Sequence, residues 1–241
     1  MRQPRLSSVV ERRLLVNYRV DPEAAARLLP APLRPQLVNG YAVAGICLLR
    51  LGGVRPAWAP RGVGLRSENA AHRFAVEWDG PGGVETGVYI PRRDTASLVN
   101  AWAGGRVFPG EHGRADFSVR ETPRELHVAY ATRDGGTRVS VEVEVTPELR
   151  GSELFEDLEG ASAFFRAGAK GFSATASGPR LDGMELRTEH WAVDACRIRS
   201  ASSSFFEDRG RFPGGSAVLD CALVMREVPA VWQPLPAMAV S

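Results

Sequence analysis

The chain has 241 residues, of which 44% are apolar and 24% charged, the balance of a globular protein with enough apolar material for a sizeable core. Its formal net charge is only +2 and its arginines alternate with acids, so the basic stripe that holds nucleic acid is missing. No stretch approaches the roughly 18 uninterrupted apolar residues of a membrane span, and Met1–Val10 carries two arginines without an apolar h-region, which argues against a secretory leader.

Three cysteines, Cys47, Cys196 and Cys221, each lie in an apolar segment without C-x-x-C spacing. Buried free thiols in a reducing cytoplasm are the expected state, and a structural zinc is not. Of 30 basic residues only Lys170 is a lysine.

In chain order, residues 9–20 read as a strand, and Asp21-Pro22-Glu23 then supplies an N-cap, a proline at N1 and an early acid for a short helix ending before Pro30. The run from Tyr41 to Leu51 is apolar on both faces, as in a central strand covered on each side. Residues 72–78 and 85–90 form two strands joined by the turn cluster Asp79-Gly80-Pro81-Gly82-Gly83. Asp94 or Thr95 is placed to cap a short helix through Trp102. Strict alternation of Val139, Val141, Val143 and Val145 with polar residues predicts a half-buried strand, turned by Asp134-Gly135-Gly136 from a partner at 125–132. A helix over 154–168 and strands over 184–199 and 217–228 complete the pattern. No repeat or biased linker divides the chain, so one antiparallel-dominated α+β domain over residues 1–241 is expected.

The nucleophile-elbow, P-loop, dinucleotide-binding and zincin signatures are absent, and His72, His112, His127 and His190 are scattered. The polar clusters Ser67–Arg73, Pro91–Thr95 and Gly105–His112 stand out instead. Arg92, Arg93 and Arg106 offer an anion clamp, against a plainer reading of Arg92-Arg93-Asp94 as exposed bases beside a helix cap. Glu111 and His112 pair a carboxylate with an imidazole, the combination that holds complementary protonation states near neutrality. Glu68 is a reserve, as is Asp220, a carboxylate inside an apolar strand that needs either an ion-pair partner or a raised pKa.

The segment Asn17-Tyr18-Arg19-Val20-Asp21-Pro22-Glu23 with Leu28-Leu29-Pro30-Ala31-Pro32-Leu33 resembles the opening of acetoacetate decarboxylase-like proteins. Ser67–Arg73, Pro91–Thr95 and Ser203–Asp208 are similar to the YqjF-like (DUF2071) family, which is grouped in the same superfamily. The resemblance covers nearly the whole chain. It implies a cone-like barrel or curved antiparallel sheets around a cavity, short outer helices and often a homo-oligomer. True acetoacetate decarboxylases form an imine through a lysine in a G-R-E…F-P-K-K-like segment. Here Gly105-Arg106…Phe108-Pro109-Gly110-Glu111 occupies that place without a lysine, and the arginine carried before the first strand is replaced by Glu11 beside Arg12 and Arg13. An imine needs a neutral amine, which neither Gly110 nor Glu111 supplies. Lys170, between small residues, reads as exposed rather than activated.

Two readings follow. One is a cytoplasmic, cofactor-independent lyase, dehydratase or isomerase acting by acid–base chemistry on a carbonyl- or carboxylate-bearing metabolite, with no metal, nucleic acid or membrane partner. The other is a non-catalytic binding protein that retains the superfamily's cavity.

Overall fold

The structure is a computed structural model that describes residues 4–60, 62, 64–97, 108–110, 112–175 and 178–240. Thirteen strands among them form one hydrogen-bonded system. Its middle consists of β1 (Leu6–Val20), β4 (Tyr41–Pro56), β5 (Leu65–Gly80), β6 (Gly83–Thr95) and β13 (Ala217–Ala239), paired antiparallel in the order β13-β1-β4-β5-β6. Residues 42–49 of β4 are all buried, as the two-sided apolar run requires. The short β2 (Arg34–Pro35) and β3 (Leu37–Val38) add to β5 and β4.

This middle sheet curls at both edges. The distal part of β6 pairs in parallel with β7 (His112–Glu121), which leads through β8 (Glu125–Thr132), β9 (Arg138–Thr146) and β12 (Asp194–Ser203) back to β13. The proximal part of β6 pairs in parallel with β10 (Lys170–Ala174), which pairs with β11 (Arg180–Thr188), and β11 closes on the C-terminal half of β13. The result is curved sheets sharing five strands, not one clean barrel. Each face of the shared strands packs its own apolar core. Leu14, Val16, Ile46, Leu48, Phe74, Val128 and Val141 belong to one, and Leu15, Cys47, Ala71, Ile90, Met184 and Leu223 to the other.

Helix α1 (Pro22–Ala26) is capped by Asp21, whose carboxylate accepts from the backbone N–H groups of Glu23 and Ala24. Helix α2 (Leu158–Ala167) lies over the second core, burying Ala161 and Phe165, and starts later than the predicted 154–168 because Asp157 is its cap, accepting from the Gly160 N–H at 2.8 Å. The predicted strand over 184–199 is two strands, β11 and β12. Asp94 and Thr95 lie in β6, where the Asp94 carboxylate accepts from Arg92 and the Thr95 hydroxyl accepts from the Ser97 N–H at 3.1 Å; the rest of the helix expected through Trp102 lies outside the described residues. All three cysteines are free and buried. No helix among the described residues is long and apolar enough to cross a membrane.

Candidate functional site

Strand alternation sorts the polar residues of the shared strands onto two faces. Arg13 and Asn17 of β1, Cys47 of β4, Arg73 of β5 and Arg93 of β6 share the face covered by α2. Arg12, Arg50, Glu68 and His72 point to the other. A bulge sets Arg73: the β5–β6 register passes from His72↔Arg92 to Phe74↔Tyr89, so Ile90 and Pro91 together oppose Arg73. Pro91 has no N–H for the ladder, and an extra residue at such a point re-aims its neighbours.

Arg13, Arg73 and Arg93 meet at one cavity of about 70 Å³, lined also by Cys47, Ile90, Phe108, Gly171, Met184, Trp191 and Trp232. On this measure one water needs about 10–15 Å³, so there is room for a ligand of several non-hydrogen atoms. Arg73, only 2% exposed, is held by three contacts: its Nε donates to the Cys47 Sγ at 3.1 Å, an Nη donates to the Asn17 Oδ1 at 2.5 Å, and its guanidinium carbon lies 4.7 Å from the Phe165 ring centre. Arg13 lies over the Trp191 ring at 5.7 Å. The Nε of Arg93 donates to the Pro109 carbonyl at 2.8 Å. Among the described residues no carboxylate pairs with any of the three guanidiniums, and Arg73 Nη1 and Arg13 Nε have no hydrogen-bond partner.

Burial lowers the Arg93 guanidinium to about 10, partly offset by the Cys47 charge, so it stays cationic at neutral pH. For Cys47, burial raises the thiol, but the adjacent Arg73 and Arg13 reverse this and leave it below its ordinary value. Cys196 and Cys221, by contrast, are pushed up to about 12 by burial.

A smaller cleft adjoins the cavity, sharing Leu49, Ala71, Arg93, Phe108 and Trp232 with it, and is completed by Asn69, Asp94 and His112. His112 Nδ1 lies 3.0 Å from the Gly110 carbonyl, which only accepts, so Nδ1 carries the proton and Nε2 is the acceptor. Burial and then the Arg93 charge depress His112 to about 4, leaving it neutral at pH 7. The Asp94 carboxyl is raised by burial against the opposing pull of Arg92, and Tyr130 Oη donates to it at 3.3 Å.

The residues singled out from the sequence fall in several places. His112 and Arg93 reach the paired clefts, whereas Glu111 and Arg106 lie outside the described residues. Arg92 turns to the opposite face, ion-paired to Asp94 at 3.0 Å and Asp134 at 3.3 Å. Glu68 is held there by Arg12 at 2.5 Å and Arg50 at 2.6 Å, and both arginines also bind Glu121. Asp220 accepts from the Ser152 hydroxyl and the Glu153 N–H, so it anchors the segment before α2. Lys170 pairs with Glu85 at 2.5 Å, and its neighbours Ala169 and Gly171 line the cavity while its own side chain lies over Trp78. Arg13, Arg73, Cys47, Asn17 and Asp94 were not read from the sequence as site residues. The available signal was an arginine at 13 and at 73, each within a strand segment rich in apolar residues, since a buried cation demands an anion.

A cavity between curved sheets that share their middle strands is the architecture of the acetoacetate decarboxylase-like fold. Acetoacetate decarboxylase from Legionella pneumophila superposes with a TM-score of 0.60 at 9% identity, over 99% of this chain and 88% of that one. The enduracididine biosynthesis enzyme MppR, complexed with pyruvate, gives 0.59 at 16% identity over 100% and 92%. An acetoacetate decarboxylase-like enzyme from Sphingomonas wittichii gives 0.59 at 14% over 100% and 94%. At such identities the likeness shows the fold alone. No curated protein sequence matches the chain. The family model of DUF2071, described as an uncharacterized conserved protein, matches residues 9–218, and the chain belongs to that family.

Proposed function

We propose that the chain binds a small carboxylate-bearing carbonyl metabolite in the Arg13–Arg73–Arg93 cavity and acts on it by acid–base chemistry at the adjoining cleft. The observation that carries this reading is three guanidiniums facing one small cavity with no carboxylate partner among the described residues. Buried cations without counter-charges are costly, and an anionic ligand would remove that cost. The fold supports the reading by analogy only, since one neighbour was crystallised with pyruvate.

His112 Nε2 is suited to accept a proton, because the ring is neutral at pH 7. An imine route is not part of the reading. The one lysine, Lys170, is committed to Glu85 and directed away from the cavity.

The test is thermal stabilisation by short carboxylates and oxo-acids, pyruvate among them, against the corresponding neutral amides. Acids should stabilise and amides should not. Arg93→Gln should weaken binding at least about tenfold, the scale of one lost charge-assisted hydrogen bond, while Arg92→Gln should leave it unchanged. Equal stabilisation by acids and amides would remove the reading.

A further inference from the structure

We infer that Cys47 is a nucleophile whose sulfur adds to the carbonyl carbon of a small oxo-acid held by the surrounding arginines. The inference rests on the reading of this cavity as a carboxylate site and adds a covalent step to it. Three observations converge on Cys47. It lines the cavity wall on β4, it accepts from Arg73 Nε at 3.1 Å, and the Nη1 of that same arginine, 2% exposed, has no partner among the described residues. An oriented guanidinium with an unused donor next to a sulfur marks a place for a second acceptor beside the reacting atom.

The charges support this. A thiolate offsets one of the three guanidinium charges, so two positive charges remain to hold a carboxylate and a developing oxyanion. The positive surroundings also hold the Cys47 thiol below its ordinary value, the condition under which cysteine reacts. Asn17 fixes the geometry. Its Oδ1 accepts from Arg73 at 2.5 Å, and Gly45 opposite it leaves room for this, since a Cβ at Gly45 would lie 3.2 Å from that oxygen and 2.4 Å from the Val16 carbonyl. Cys221 accepts from Asn17 Nδ2 at 3.5 Å, but among the described residues no guanidinium hydrogen-bonds either remaining thiol, and burial pushes both up to about 12.

In the step, the Cys47 thiolate forms a C–S bond to the carbonyl carbon as the C=O π pair moves to oxygen. The resulting alkoxide sits among the guanidiniums and takes its proton from water. No oxidant, reductant or leaving group is required, and the adduct reverts by the same path.

The test uses the full-length wild-type chain and two alkylating agents that differ only in charge, iodoacetate and iodoacetamide, with peptide mass mapping of each cysteine over time. Iodoacetate should modify Cys47 about tenfold faster than iodoacetamide, the effect of one charge-assisted contact, and the preference should vanish in urea. Pyruvate should protect Cys47 and leave the rates at Cys196 and Cys221 unchanged. Faster reaction with iodoacetamide, modification of Cys196 or Cys221 first, or an unmodified Cys47 would each overturn the inference. Cys47→Ser separates the two levels: retained stabilisation by pyruvate together with a failed alkylation test would sink the nucleophile and leave the binding site standing. Loss of pyruvate stabilisation in wild type would sink both.

Discussion

Several single residues have consequences out of proportion to their size. Gly45 sits opposite Asn17 across β1 and β4, and a methyl there would drive into the Val16 carbonyl at 2.4 Å. Gly45→Ala should therefore cost about 1–3 kcal/mol, the range for overpacking, and should also displace Asn17 from Arg73. Chemical denaturation reads the first effect and pyruvate affinity the second. His72 is a different case. It is fully buried against Phe205 with ring centres 4.4 Å apart, and neither ring nitrogen has a hydrogen-bond partner among the described residues. Burial, then the charges of Arg92 and Arg211, depress it to about 3, below its ordinary 6.5. The unfolded chain therefore takes up a proton first as pH falls. The stability that neutral His72 gives is complete above pH 6.5 and is lost progressively between 6.5 and about 3, at about 1.4 kcal/mol per pH unit. His112, depressed to about 4, acts with the same sign over the upper part of that window. His72→Phe should remove about one such slope from urea unfolding between pH 6 and 4. An unchanged slope would contradict the assignment.

The strands explain both what the sequence disclosed and what it hid. Alternating valines in β9, the two-sided apolar run of β4 and the glycine turn between β8 and β9 were legible because period and turn chemistry are local. The N-cap at Asp21 was legible for the same reason. Asp94 was misplaced because an aspartate after two arginines has the local signature of a cap, whereas pairing of β6 with β5 and β7 decides its conformation from a distance. The cavity was hidden for a similar reason. Arg13, Cys47, Arg73 and Arg93 are far apart in the chain and converge only through the register of four neighbouring strands. On the opposite face the same register assembles Arg12, Arg50, Glu68 and Glu121 into an ion-pair lattice joining β1, β4, β5 and β7. Glu68→Gln should cost about 2–3 kcal/mol, since it leaves the buried Arg12 short of charge, and should not change carboxylate affinity. Denaturation midpoints and a pyruvate titration on the same sample distinguish this structural role from a chemical one.

For the whole molecule, the decisive feature is that β13, β1, β4, β5 and β6 serve both curved halves at once. Neither core is complete without those strands, so thermal unfolding should be one transition with coincident near- and far-ultraviolet signals, and two separated transitions would show the halves to be independent. The two faces carry opposite solutions to buried charge: one closes its arginines with glutamates, and the other leaves Arg13, Arg73 and Arg93 to a ligand. A crystal structure with pyruvate tests that contrast most directly. The pyruvate carboxylate is expected against Arg73 Nη1 and Arg93, in the cavity they share with Arg13. Pyruvate found instead in the cleft of Arg92 and Arg211 on the opposite face, with the Arg13–Arg73–Arg93 cavity filled only by water, would contradict it.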